Sequence, residues 1–220
     1  AWTGSYQIVN DKIGFVLPSS NAMRLFMDER SANATIIQSE GTIVLTMLCS
    51  FSGAEAVFRR MVFWGNPSIN PTMDLLKNQA NNLFFRLVSA SGTSHIASVH
   101  INWPAGTVIN VIMQWTAGSS LGLWLFVAGS AMQQATASLS GSLMTGVSSV
   151  IGLGASFDDS FPTTLGVMLH LATYKKAFAD PTVLLSHFPL GRNYYSRAEV
   201  AERTFNPTRI SPGVDAWQWT

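Results

Sequence analysis

Between residues 42 and 173 apolar side chains recur at every second position, in short runs separated by Gly, Ser, Asn and Pro. Period-two alternation sends successive side chains to opposite faces of a strand, so one face of each run can be core. The runs are TIVLTMLCSFS (42–52), AVFRRMVFW (56–64), NLFFRLVSA (82–90), TSHIASVHIN (93–102), VINVIMQWT (108–116) and LGLWLFVA (121–128), followed by 132–139, 149–153 and 164–173. Turn residues punctuate them at short intervals, as in an antiparallel sandwich and not in βαβ units. The spacing therefore predicts an all-β, antiparallel β-sandwich.

Helix signals are confined to the C-terminal part. Asp180 can cap and Pro181 fits a first helical position, which predicts a short helix over 182–188, stopped by Pro189 and Gly191. Ser196 and Glu199 have capping-box spacing, which predicts a second short helix to about residue 203. Beyond it, Pro207, Pro212 and Gly213 favour an extended path. Trp217 and Trp219 near its end are costly to leave in water, so the tail is expected to dock, on its own domain or on a neighbouring subunit. The expected organisation is one domain over 1–203, with its core at about 41–188, and an extended arm over 204–220.

Charge is scarce. Asp, Glu, Lys and Arg make up 11% of the chain, against about 25% in an average soluble domain, and none occurs from residue 87 to residue 157. Interspersed surface charge keeps free monomers apart. Its shortage here points to a surface covered by partners, although Ser, Thr, Asn and Gln could also supply a neutral polar surface. A net charge of +1 without basic clusters gives no footprint for nucleic acid or for an anionic membrane. Apolar runs such as 121–128 are too short for a spanning helix, which needs about 20 residues. The first residues carry no leader-like pattern, and a start at Ala1 leaves a removed leader open. Cys49 is the only cysteine, so no intrachain disulfide forms, and its apolar run predicts a buried, inert thiol.

Catalytic patterns are missing. There is no G-x-S-x-G elbow and no phosphate loop. His95 and His100 lie five apart on one predicted strand and face opposite sides, while His170 and His187 are isolated. Asn33 lies in an N-glycosylation triplet, which matters only in a secretory setting. Of the tryptophans, Trp64, Trp115 and Trp124 fall in strand patterns and are expected in the core; Trp2, Trp103, Trp217 and Trp219 fall in turns or termini.

Several segments, in order, resemble the LamG-like jelly rolls of the concanavalin A-like lectin/glucanase superfamily. They are GTIVLTMLCSF, a strand ending FWG at Phe63–Gly65, NNLFFRLVSASG, WPAGTVINVIMQW with Trp103, Gly106 and Trp115, and LGLWLFVAGSAMQQATAS with Leu123, Leu125, Val127 and Gly129. The resemblance continues with Ile151-Gly152 and with a last strand, 168–174, before a short helix, and it covers about residues 41 to 188. It implies a jelly-roll sandwich. Many members of that family hold Ca²⁺ between rim carboxylates; the candidates here are Asp158 and Asp159, for which a solvated turn is the alternative reading. The glucanase carboxylate arrangement, Glu-x-Asp-x-x-Glu, is absent, and glycoside hydrolysis needs two flanking acids.

These readings lead to two expectations, neither of them an enzyme, and to no required cofactor. The first is a structural assembly protein of a virion, such as a capsid decoration or tail subunit, contacting copies of itself or other subunits as a homo-oligomer through Trp2, Phe205, Trp217 and Trp219. The second is an extracellular, lectin-like module binding glycans at a rim of Asn66, Asn81, Asn82 and Trp103.

Overall fold

In the computed structural model, which describes residues 6–9, 12–17, 25–27, 39–65, 73–127, 129–141, 143, 150–153, 166–186, 208–211 and 214–218, two antiparallel sheets stack as a sandwich. The strands are β1 (Tyr6–Val9), β2 (Lys12–Leu17), β3 (Leu25–Met27), β4 (Glu40–Cys49), β5 (Arg59–Gly65), β6 (Met73–Lys77), β7 (Asn82–Val88) and β8 (Ser94–His100). They continue as β9 (Val108–Thr116), β10 (Ser120–Val127), β11 (Gln133–Ser138), β12 (Val150–Leu153), β13 (Gly166–Tyr174), β14 (Thr208–Ser211) and β15 (Val214–Gln218). The first sheet runs β1-β2-β13-β4-β9-β10-β11 and the second β3-β12-β5-β6-β7-β8.

The described parts of the expected C-terminal arm, residues 208–211 and 214–218, lie against the first sheet. β14 and β15 form a hairpin, and β15 pairs with β13 at Ala172–Tyr174, beyond the stretch Gly166–Met168 that pairs with β2. Of the two expected helices, the first is a 3-10 helix, Pro181–Ser186, in which Thr182 donates its backbone N–H and its hydroxyl to Asp180 Oδ1 at 2.9 and 2.6 Å. Those two bonds hold the Asp180 carboxyl below its ordinary range. The second, at 196–203, lies outside the described residues.

Alternation fills the space between the sheets. Ile43, Leu45, Met47 and Cys49 of β4 share one core with Phe85 and Leu87 of β7, Val111, Met113 and Trp115 of β9, and Leu121, Leu123 and Leu125 of β10. Trp115 lies across Gly41 of the adjacent strand, where a Cβ would come within 2.4 Å of the ring. Burial pushes the Cys49 thiol far above its usual range, so it stays protonated and inert.

The outer face of the first sheet carries a second, smaller core of Val44, Ile112, Ala172 and Leu184, with Trp124, Phe126 and Phe178 packed against it. A bulge in β13 between Met168 and His170 resets the phase of that strand, so that His170 and Ala172 share this outer face with Thr46 and Val44. Gln114 fixes the segment that covers it: its amide nitrogen donates to the Phe178 carbonyl at 3.0 Å, and its amide oxygen accepts the Phe178 N–H at 2.8 Å.

The strands the alternation did not reveal include β1, β2, β3 and β6. β6 is buried on both faces and carries two charged residues, so it shows no period-two pattern. Asp74 is 0% exposed and receives Arg86 Nε at 2.9 Å and Arg86 Nη2 at 2.6 Å, with Arg60 Nε at 3.5 Å. Lys77 donates to the carbonyls of Glu55, Val57 and Asn78, and desolvation lowers its pKa.

Candidate functional site

Three surfaces bear on function: one end of the sandwich, the side where β8 meets β11, and the outer face around β10.

The end loops bring Asn81, Asn82 and Trp103 together, but as internal stitching. Asn78 Oδ1 accepts the N–H groups of Ala80 and Asn82 at 3.0 Å each, closing the β6–β7 turn. Asn81 adopts φ 59°, the left-handed conformation that Asn tolerates better than most residues. With its side-chain amide turned so that the nitrogen faces them, it donates to the Gly53 and Ala54 carbonyls at 3.2 Å, and its backbone carbonyl accepts the Ile101 N–H at 2.8 Å. Trp103, expected at a glycan rim, is 2% exposed; its ring meets Phe51 at 5.9 Å and its carbonyl accepts the Gly53 N–H at 2.8 Å. A ring buried on that contact has no face left for a sugar. Arg59 closes the cluster, with its guanidinium 4.8 Å from the Phe51 ring centre and 2.6 Å from Glu55 Oε1.

The remaining candidates named from the sequence fall elsewhere. Asn66, the pair Asp158 and Asp159, and Trp2, Phe205 and Trp219 lie outside the described residues. Trp217 is on β15, in register with Arg209 of β14. Among the described residues no group of three or more His, Cys, Asp and Glu could hold a metal ion. No helix among them is long and apolar enough to cross a membrane.

The second surface is the side formed by β8 and β11, the outermost described strands of their sheets. They lie beside each other, and His95 joins them: Nδ1 is 3.0 Å from the Ser138 carbonyl oxygen and Nε2 3.4 Å from Ser140 Oγ. As the alternation predicted, His95, Ala97 and Val99 face inward, while Ser94, Ile96, Ser98 and His100 face solvent. On β11 Gln133, Gln134, Thr136 and Ser138 are exposed. Neither strand has a charged side chain, and Ile96 and Met132 stand 47% and 42% exposed.

The third surface corrects a second tryptophan. Trp124, expected in the core, is out of phase with its buried neighbours Leu121, Leu123 and Leu125 and lies half-buried on the outer face of β10. Its ring reclines over Gly122, where a Cβ would fall 2.3 Å from Cη2 and 2.5 Å from Cζ3. The exposed Gln134 and Thr136 of β11 pair with Trp124 and Gly122. The phase of the alternation, read residue by residue, was the signal that could have placed it.

No known protein family matches the chain, and no curated protein does. Solved structures do. The enzymatically active domain of tailspike protein 2 from bacteriophage CBA120 is similar with TM-score 0.60 at 14% identity over 90% of this chain, which spans 31% of that one. A binding domain of botulinum neurotoxin DC in complex with SialylT is similar with TM-score 0.58 at 10% identity, over 83% of this chain and 44% of that one. The CBM40 domain of the Ruminococcus gnavus IT-sialidase, bound to α2,3-sialyllactose, is similar with TM-score 0.52 at 15% identity, over 82% of this chain and 95% of that domain. At these identities the likeness establishes the architecture: a β-sandwich shared with carbohydrate-binding domains and with part of a phage tailspike.

Proposed function

We propose that this chain is a non-catalytic structural subunit of a virion, associating with copies of itself through the β8–β11 side. One observation carries the reading. Two uncharged strands, each the last described strand of its sheet, lie side by side, with Ile96 and Met132 exposed near them. An open edge presents unpaired N–H and C=O groups to any passing strand, and solitary proteins blunt such edges with charge, proline or bulges. A partner that covers this side removes the need. The charge-free stretch from 87 to 157 includes both strands. Likeness to a domain of a phage tailspike supports the virion setting, and the 103–129 motifs support placement among the LamG-like jelly rolls.

Light scattering of the purified chain tests this. The wild type is expected to run as a defined oligomer, and the double variant Ile96→Lys, Ser98→Lys as a folded monomer, since both side chains point to solvent. A monomeric wild type, or an oligomer untouched by the two lysines, would refute it.

A second reading, carbohydrate recognition at the cell or virion surface, is favoured by the solvent-facing Trp124 and by the sialyllactose and SialylT complexes of two structural neighbours.

A further inference from the structure

We infer that the outer face of β10 and β11 is a binding site for neutral glycans, with Trp124 as its stacking plate; this gives a site to the carbohydrate reading above. The three other tryptophans with described side chains, Trp64, Trp103 and Trp115, are all buried. Trp124 alone among these four shows solvent part of its ring, and it is held there by construction. Gly122 leaves room beneath the ring, and the smaller core of Val44, Ile112 and Leu184 packs it from the side. A fixed aromatic surface binds with little loss of side-chain freedom. The electron-rich ring face suits the C–H face of a pyranose.

Polar groups of matching chemistry border the plate. Gln134 lies directly across from Trp124 on β11, and Thr136 is across from Gly122, both exposed. An amide and a hydroxyl can each donate to and accept from sugar hydroxyls. The Gln114 amide, on the β9 side of Gly122, is occupied by Phe178 and is not counted.

Charge selects the ligand class. β9, β10 and β11 contain no Asp, Glu, Lys or Arg. Lys176, on the segment packed over this face, sits 4.4 Å above the Phe178 ring, and Glu40 is engaged by the Ala177 N–H at 3.0 Å. No cation on these three strands can pair with a sialic acid carboxylate, so the surface fits uncharged hexose chains better than sialylated ones.

The full-length chain is screened against immobilised neutral and sialylated oligosaccharides, with oligomeric state followed separately by light scattering. Binding to neutral glycans is expected, weakened on the order of tenfold or more by Trp124→Ala. Gly122→Ala should weaken it similarly, because the added methyl displaces a ring that is still present. Trp124→Phe should restore part of it. Gln134→Ala, an exposed change that leaves the cores alone, should weaken binding several-fold while the melting temperature holds. Absence of any neutral glycan binding by the wild type overturns the proposal. So does binding that survives Gln134→Ala and Trp124→Ala, or a Trp124→Ala effect on oligomer size alone, which would make the plate a subunit contact. Loss of glycan binding with the oligomer intact leaves the assembly reading standing, and a monomer that still binds refutes assembly alone.

Discussion

Acid should unfold this protein partly through one imidazole, and the size of that effect can be worked out. His170 lies on the outer face of β13, in register with Thr46 of β4, and is 8% exposed. Burial disfavours its charged form and lowers its pKa from 6.5 to about 4. In the unfolded chain the imidazole takes up its proton near pH 6.5; in the folded chain it resists until about pH 4. Above pH 6.5 both states are neutral and the residue adds no pH dependence. Between the two values the unfolded state binds more protons, so stability falls as pH falls. Below about pH 4 both states are charged, and the whole penalty, about 3 kcal/mol, is in place. At pH 4.5 the expected share is about 2.5 kcal/mol. Carboxylates in general also take up protons in acid, so the comparison must be made against His170→Gln, which cannot titrate. Urea unfolding of both proteins at pH 7.5 and pH 4.5 isolates the residue. The stability difference between them should shift by about 2.5 kcal/mol in favour of the variant at the lower pH, close to 1 M in midpoint for an m-value of about 3 kcal/mol/M. Parallel pH dependence in the two proteins would refute the reasoning.

Two further substitutions test the frame. Asp74→Asn removes the charge between Arg86 and Arg60 while keeping the shape; breaking a buried pair costs about 3–5 kcal/mol, and the lower end is expected because the Arg86 side chain keeps 24% exposure. Calorimetry should show a melting temperature lower by about 6–12 °C, and a fall of less than about 2 °C would count against a structural role for the pair. Gly166→Ala should prevent folding, because at φ 121° its Cβ would lie 1.8 Å from the Leu48 carbonyl oxygen, whereas Gly118→Ala, at φ 73° with open space around it, should cost only about 1–2 kcal/mol by chemical denaturation.

What the sequence made legible follows from how each strand is buried. β7 and β8 alternate in burial and β10 buries one face more deeply, so period two finds them; β4 and β9 are buried on both faces over most of their length, and their long runs rich in β-branched and apolar residues make them legible instead. β6 lies between β5 and β7, buried on both faces, and its Asp74 and Lys77 look like loop residues until their partners are known, arginines on the neighbouring strands for Asp74 and loop carbonyls for Lys77. β3 has three residues, too few to display a period. The two misplaced tryptophans have opposite causes. Trp103 follows a strand and precedes a proline, the usual setting of a surface turn, yet its loop folds inward onto Phe51. Trp124 sits in a run whose apolar content hides its phase, and only parity with Leu123 and Leu125 sends it outward. Asn81 was legible as a polar loop residue, but its left-handed conformation and its inward hydrogen bonds depend on the loop over 50–58, which is distant in sequence.

The strand proposed to recruit a neighbour is held by hydrogen bonds along one edge only. β11 pairs with β10 alone among the described strands, and all six of its side chains are exposed or half-buried. Across the open side, the described link is His95 to the Ser138 carbonyl and Ser140 hydroxyl, worth about 0.5–1.5 kcal/mol as a hydrogen bond. Elements with few buried apolar contacts open locally at far lower free energy than the core. In a protein kept monomeric by the β8 lysines, amide exchange at Gln133–Ser138 should therefore be fast relative to β9, and His95→Ala should speed it several-fold further without moving β9. If the wild type assembles as proposed, the same amides should be protected there, because a covering subunit would supply the partners that β10 cannot. If β11 exchanges as slowly as β9 in the monomer, the edge is already satisfied within the chain, and no neighbour is needed to complete it.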